Sequence, residues 1–299
     1  MVRSTRAVNI GGTVGGRLAD GCLYAVMLFV ICITLYPFLF VFSMSISKPI
    51  YVMEQSVWLF PKGLSFSAYE RIFDNPEVWR SYGNTLFYTV AGTLLNVTMT
   101  ALAAYPLSRK GFFLRKYMML FVVVTMFFGG GMIPMFILMQ ELGIYNTRWA
   151  ILLPTAASAF LIIIARTFFQ SIPESLHESA KLDGANDMTI LTRIVLPLSQ
   201  PILAVLTLFY AVNHWNSFFP ALMYLPDPSL QPLSLYLMKI LVQGQEVMVE
   251  GMIDSYDRTM HSIQIKYAMI IITVLPIVTI YPFLQKYFVQ GVMIGSLKE

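Results

Sequence analysis

One short polar segment, Glu178 to Ala185, interrupts an otherwise apolar chain. It reads Glu-Ser-Ala-Lys-Leu-Asp-Gly-Ala and is followed by an Ile-Val-Leu-Pro stretch that ends at Pro197, and then by Pro201. The segment contains no nucleophile paired with a base and no spacing of metal ligands. Acidic and small residues around a glycine turn are suited to contact with another protein. The segment is therefore either an amphipathic surface loop between two spans or a docking surface for another protein, and not a catalytic site.

A pair of short helices should present this segment. The spacing of Ser171 and Glu174 predicts a capping box at the start of a helix that ends near Gly184, which can adopt the left-handed conformation of a helix terminus. A second helix is predicted to begin near Asn186 or Asp187, either of which can cap it, and to run to Pro197.

The rest of the chain predicts an all-α membrane protein. Hydrophobic residues make up 57% of its 299 residues and charged residues 12%, about half the charged fraction of a soluble domain. No segment has the alternation that a membrane barrel requires. Six apolar runs are about long enough to cross a bilayer as helices. These runs are Cys22–Met44, Gly83–Tyr105, Tyr117–Met139, Trp149–Ala165, Ile194–Trp215 and Tyr267–Leu284.

Basic residues indicate the orientation of the predicted spans. They cluster before the first span, in the segment 1–20, and between the second and third spans, at 109–116. The positive-inside rule therefore predicts that both termini are cytoplasmic. The segments 46–82, 140–148 and 218–266 are then assigned to the outside. The net charge of +4 reflects this topology and is no evidence for binding to nucleic acid.

The predicted spans contain no Asp, Glu, Lys or Arg, which counts against a carrier driven by an ion gradient. Their uncharged polar residues either bond to neighbouring helices or line a wet path. His214 is either an interfacial residue or part of a cavity wall. The candidates for a substrate path are Asn84, Thr85, Thr89 and Asn96 on the second span and Asn213, His214, Trp215 and Asn216 at the end of the fifth.

Three glycines at 129–131, followed by Pro134, predict a break in the third span. Such a break serves either close helix packing or a gate. Cys22 and Cys32 are too far apart on one helix for a disulfide, and no metal site is predicted because the three histidines fall in different segments.

The polar segment resembles the EAA loop of binding-protein-dependent ABC importer permeases. The family pattern is E-A-A-x-x-D-G-A, then five residues, an aromatic residue, I-x-L-P and a later proline. Ser179 replaces the middle alanine, and Leu191 replaces the aromatic residue. The positions that match are Glu178, Ala180, Asp183, Gly184, Ala185, Ile194, Leu196, Pro197 and Pro201.

The resemblance implies a type I ABC importer transmembrane domain over 21–299, with a coupling loop at 168–195 and a periplasmic loop at 218–266. It is strongest to the second permease of carbohydrate importers of the maltose-transporter type. Within that branch, permeases for complex oligo- and polysaccharides such as alginate share the run Gly129 to Pro134. The residues that it assigns to ATPase coupling are Glu178, Ser179, Ala180, Asp183, Gly184, Ala185, Leu191 and Pro197.

Several partners follow from the same resemblance. They are a sister permease, two ATP-binding subunits and a periplasmic or extracellular solute-binding protein, all acting at a bacterial inner membrane. The predicted contacts with the binding protein are Gln231, Gln243, Gln245 and Tyr256. The chain has no phosphate-binding loop, so ATP and Mg are expected in the partner ATPase, and neither a cofactor nor an enzymatic activity is expected here. The alternatives are an ABC permease for a non-sugar solute, an ion-coupled carrier or channel, and a membrane scaffold.

Overall fold

The computed structural model describes residues 14–243 and 255–296. Regular structure in these residues is helical, with one isolated antiparallel bridge between Ser47 and Leu64. The helices before the polar segment are α1 (Val14–Ser45), α2 (Pro49–Met53), α3 (Ser67–Asp74), α4 (Pro76–Ser108), α5 (Arg115–Phe127), α6 (Met132–Glu141), α7 (Trp149–Leu152) and α8 (Ala159–Gln170). Those that follow are α9 (Glu174–Leu182), α10 (Asp187–Ile190), α11 (Leu196–Leu198), α12 (Gln200–Trp215), α13 (Phe219–Tyr224), α14 (Leu233–Gln243) and α15 (Ser255–Ser296), with a π-helical turn at Leu191–Val195 and a 3₁₀ turn at Pro228–Leu230.

The described residues form two units, 14–71 with 255–271 and 72–243 with 272–296. In the first unit, the buried amide of Gln264 donates to the carbonyls of Ser45 (3.2 Å), Ser47 (2.8 Å) and Ser65 (3.2 Å). This side chain therefore ties the start of the last helix to the chain just after α1.

The second unit is built on α4, which packs along α12 and α8. Ala104 and Ala165 are fully buried in the core that these helices share. Their small side chains let the helices approach closely. The same core receives Ile190 and Val195 from the helix that follows α9. The polar segment is thereby fixed to the ends of the long helices.

Within residues 14–243 and 255–296, three helices are long and apolar enough to cross a membrane without interruption, at Asp20–Ser45, Pro76–Ser108 and His261–Ile280. Three further pairs of helices in these ranges qualify as bent spans, which gives up to six. The pair α5 and α6 bends by 114° at the three glycines, where Gly131 has φ +83°. The predicted break in the third span is confirmed.

The fourth and fifth predicted spans are not the continuous helices that the sequence indicated. The run Trp149–Ala165 is interrupted between α7 and α8 around Pro154, which disfavours helix in the residue before it. The run that was predicted from Ile194 bends by 85° between Leu198 and Gln200. The straight helix therefore begins only at Gln200, with Pro201 in its first turn.

Candidate functional site

The turn that ends α9 explains the spacing of the polar segment. The Gly184 N–H donates to the Lys181 carbonyl (3.0 Å), and the Ala185 N–H donates to the Ala180 carbonyl (2.9 Å). With Gly184 at φ +81°, this is the Schellman pattern of helix termination. Ala180 and Ala185 pack against the same core, as the apolar contact of that motif requires. The sequence prediction of a glycine-terminated helix is confirmed.

The helix after the turn starts as predicted. The Asn186 side chain accepts from both the backbone N–H and the hydroxyl of Thr189, each at 2.8 Å. The predicted capping box of α9 is wrong, because the Ser171 hydroxyl donates to the Phe168 carbonyl (2.7 Å) and the Glu174 carboxylate pairs with Arg109. That ion pair ties α9 to the end of α4.

One face of the helix pair is buried against the protein itself. Ala180 and Leu191 belong to the core of the second unit, and Leu191 is only 3% exposed. His177 is buried and stacks on the Tyr105 ring with centroids 6.4 Å apart. Burial, and next the positive charge of Arg109, lower the pKa of His177, so its neutral form is favoured. Leu191 therefore supports the fold of the loop, and the structure gives it no free surface for a partner.

The opposite face is open. Glu178, Ser179 and Asp183 are exposed, and Leu182 is 90% exposed. Leu182 follows Glu178 by four residues and so shares its face of the helix. Sequence reasoning did not single out Leu182, although an apolar residue on the charged face of an amphipathic helix was a readable signal. Acidic groups therefore surround an exposed apolar side chain.

A cleft of about 530 Å³ lies beside this face, between α9 and the end of α4. Its walls include Arg109, Glu178 and Met188. Lys181 and Asp187 border it and form an ion pair at 3.6 Å. The cleft is open to solvent and has charges of both signs, so it can receive a side chain of a partner.

Asn84 and Thr85, which the sequence predicted as part of a substrate path, anchor the segment after α13. The Asn84 amide donates to the carbonyls of Ser229 (2.8 Å) and Gln231 (3.2 Å). The Thr85 hydroxyl accepts from the backbone N–H of Leu233 (2.8 Å). Both side chains are buried. They hold α4 to the segment that leads into α14.

Asn96 and His214 are brought together across 118 residues of sequence. The His214 Nε2 atom lies 2.8 Å from the Asn96 Oδ1 atom, and the two residues are 2% and 0% exposed. The other side of the Asn96 amide donates to the Thr155 carbonyl, in the break between α7 and α8. The His214 side chain is thus packed between helices and has almost no exposed surface in this chain.

The same break receives a second polar contact. The Tyr210 hydroxyl on α12 accepts from the Ser158 N–H (3.2 Å) and lies 2.6 Å from the Thr100 hydroxyl on α4. Backbone groups that leave the helical pattern need such partners where they are buried. The buried polar residues of α4 and α12 therefore serve the broken fourth span.

The remaining path candidates differ in exposure. Asn213 and Asn216 are exposed. The Thr89 hydroxyl has no hydrogen-bond partner in the described part of the chain and borders a small cavity of about 60 Å³ together with Trp215. The Trp215 indole N–H donates to the Thr273 carbonyl (3.0 Å).

The predicted binding-protein contacts are only partly described. Gln231 is 5% exposed, donates to the Leu225 carbonyl at 2.9 Å and accepts from Lys239. Its side chain is thus committed to its own chain, which contradicts its assignment as an exposed contact. The side chains of Gln243 and Tyr256, and the whole of Gln245, lie outside the described residues. Within the described ranges, no three His, Cys, Asp or Glu residues are grouped to hold a metal ion.

Comparison with known proteins places the polar segment in a family context. A family model described as "Binding-protein-dependent transport system inner membrane component" matches residues 96–294, which include the helix pair and the broken spans. The chain belongs to this family. Its members are transport permeases and not enzymes. The permease assignment made from the sequence is confirmed.

Two relatives cover almost the whole permease. Protein LplC of Bacillus subtilis (strain 168) is 39% identical over 287 residues, which are 96% of the permease and 97% of LplC. The polygalacturonan/rhamnogalacturonan transport system permease protein YtcP of the same organism is 38% identical over 282 residues, covering 94% of the permease and 99% of YtcP.

A solved structure confirms the fold class. The permease matches a chain of a bacterial ABC transporter involved in the import of the acidic polysaccharide alginate, with a TM-score of 0.84 and 35% identity. The match covers 92% of the permease and 98% of that chain. The permease therefore has the type I ABC importer fold, and it is a multi-pass membrane protein.

Proposed function

We propose that this chain is a permease subunit of an ATP-driven importer of oligo- or polysaccharides. The observation that carries the proposal is similarity over nearly the full chain to a polygalacturonan/rhamnogalacturonan permease and to a chain of an alginate importer. Supporting it, the six apolar runs of the sequence contain no Asp, Glu, Lys or Arg, which counts against a carrier driven by an ion gradient.

The exposed face of α9 is the proposed site of coupling. An ATP-binding subunit would receive Leu182 in an apolar depression, and its bases would face Glu178 and Asp183. The Schellman turn at Gly184 would keep α9 at a fixed angle to the next helix, so that movement of the partner is passed to α12. ATP and Mg would be held by two such subunits, and a sister permease would complete the translocation path.

The proposed mechanism is alternating access between two packed arrangements of the spans. The buried contacts of Asn96 and His214 make α4 and α12 move together, with the broken fourth span attached. The break at 128–131 would then be a place where the third span changes direction. Cytoplasmic termini at the inner membrane, and a solute-binding protein that contacts the outer loops, complete the proposal.

Reconstitution tests both parts of this proposal. Proteoliposomes are prepared with the permease, its partner permease and the ATPase. ATP hydrolysis is then measured with the binding protein and one of three solutes, which are an acidic oligosaccharide, a neutral oligosaccharide and an amino acid. Stimulation by an oligosaccharide is expected. Stimulation by the amino acid alone would refute the sugar assignment, and hydrolysis that no binding protein stimulates would refute the coupling role.

A further inference from the structure

A second cleft, of about 720 Å³, lies at the start of α5 and beside the end of α8. Of the residues that the structure describes, four bases and no carboxylate line it. These bases are Lys110, Arg115, Lys116 and Arg166. The cleft is separate from the coupling face of α9, and neither the comparisons nor the proposed transport cycle assigns it a role.

Two of the guanidinium groups are held close together. With its amide oxygen turned towards them, Gln170 accepts from Arg166 (3.0 Å) and from Arg115 (2.6 Å). The Arg166 Nε–H also donates to the Leu107 carbonyl (3.1 Å), which fixes its direction. Among the described residues neither arginine forms an ion pair. Two cations that share one neutral acceptor repel each other, and an anion bound between them would remove that repulsion.

The positive-inside rule explains why bases lie at this end of the helices, but it explains neither the depth of Arg166 nor the floor of the cleft. Arg166 is one turn inside α8 and only partly exposed. The floor is apolar and includes Met119, Leu120 and Val123. Leu120 is 62% exposed on a helix that the sequence places in the bilayer. The cleft thus joins a cationic end to an apolar wall.

We propose that this cleft binds an anionic phospholipid of the inner leaflet. The phosphate would lie among the four bases, since guanidinium groups bind phosphate through paired N–H donors. Helix α5 begins at Arg115 without a side-chain cap, so its positive end adds to the attraction. One acyl chain would lie along Leu120 and Val123. Basic pockets between helices on the cytoplasmic side are a known way of holding such headgroups.

A lipid fits the cleft better than free phosphate or an acidic surface of a partner. Free phosphate would leave the apolar floor exposed to water, whereas an acyl chain covers it. A soluble partner, such as the proposed ATP-binding subunit, would have to reach into the bilayer to contact Val123. The bases of the cleft and its apolar floor therefore both favour an anionic phospholipid, the bases through its phosphate and the floor through an acyl chain.

The test measures lipid binding to the complete importer complex in detergent, by native mass spectrometry. Dioleoyl phosphatidylglycerol and dioleoyl phosphatidylcholine are titrated separately, and phosphatidylglycerol is also titrated against inorganic phosphate. The first variant is Lys110→Gln with Lys116→Gln, because both side chains are exposed and make no ion pair with described residues. The control, Lys62→Gln with Arg80→Gln, removes the same charge from exposed sites elsewhere.

Each base near an anionic lipid contributes about fivefold in affinity, so the lysine pair should weaken phosphatidylglycerol binding by about 25-fold and leave phosphatidylcholine unchanged. The control should bind as the wild type does. Arg166→Gln tests the site independently and should weaken binding at least about fivefold. Wild-type binding in both variants, equal binding of the two lipids, or full displacement by inorganic phosphate would each overturn the proposal.

Discussion

Replacement of Gly184 by valine separates backbone geometry from packing in the proposed coupling loop. Gly184 has φ +81°, and a Cβ atom built there meets no heavy atom within 4 Å. The substitution therefore adds no clash, and its cost is conformational. An L-residue in the left-handed region costs about 1–2 kcal/mol, and a β-branched residue is among the least tolerant. Asparagine adopts this conformation more readily and is the matched control.

If the left-handed conformation at residue 184 costs about 1–2 kcal/mol, the population of the native turn falls about 5- to 30-fold relative to a loop in which this residue has relaxed to negative φ. The assay compares ATP hydrolysis stimulated by the loaded binding protein in complexes that carry Gly184→Val or Gly184→Asn, at matched abundance in the membrane. Valine should reduce stimulation and asparagine should largely preserve it. Equal stimulation in valine and wild-type complexes would refute the reasoning, and equal damage by both residues would show that space, not φ, is limiting.

Three further substitutions test other parts of the account. Glu178→Lys should weaken co-purification of the ATPase by orders of magnitude, since a reversed charge at a desolvated contact costs a few kcal/mol. Recovery of the ATPase at the wild-type level would mean that Glu178 is solvated and lies outside the contact. Leu182→Ala should weaken ATPase binding about 30-fold, because about 2 kcal/mol of apolar burial is lost. Leu182→Met is the control and should bind as the wild type does. Equal affinities of the alanine variant and the wild type would exclude Leu182 from the contact. Gly92→Ala should lower the free energy of unfolding by about 1–3 kcal/mol, because its Cβ would clash with the His214 imidazole. Gly83→Ala, whose Cβ meets nothing within 4 Å, is the control, and equal melting temperatures of the two variants would argue against the close packing of α4 and α12.

Local signals in the sequence were sufficient for the helix pair. Gly184 and Asn186 act within a few residues of their own positions, through the Schellman bonds and the Asn cap. Their roles are therefore readable without a structure. The capping box failed for the opposite reason, because Glu174 has a partner 65 residues away at Arg109, and no local pattern announces such a contact.

Contacts between distant residues also explain the polar stripe on α4, for which the sequence left two roles open. Asn96 faces His214 and the carbonyl of Thr155, and the need for that amide arises only because the fourth span is broken. Hydropathy alone shows a continuous apolar run across Pro154. The sequence therefore predicted neither the break nor the side chains that form hydrogen bonds with it. Apolar periodicity predicts how many helices are available, and tertiary hydrogen bonds decide where they are interrupted.

Uptake of a labelled oligosaccharide by proteoliposomes is the most direct test of the central claim that this permease moves sugar only when an ATPase drives it. The complete complex is reconstituted, and ATP, the binding protein and the ATPase are omitted one at a time. We expect concentrative uptake with all components present and none when any one of them is missing. Uptake by this chain alone, without ATP, would contradict it.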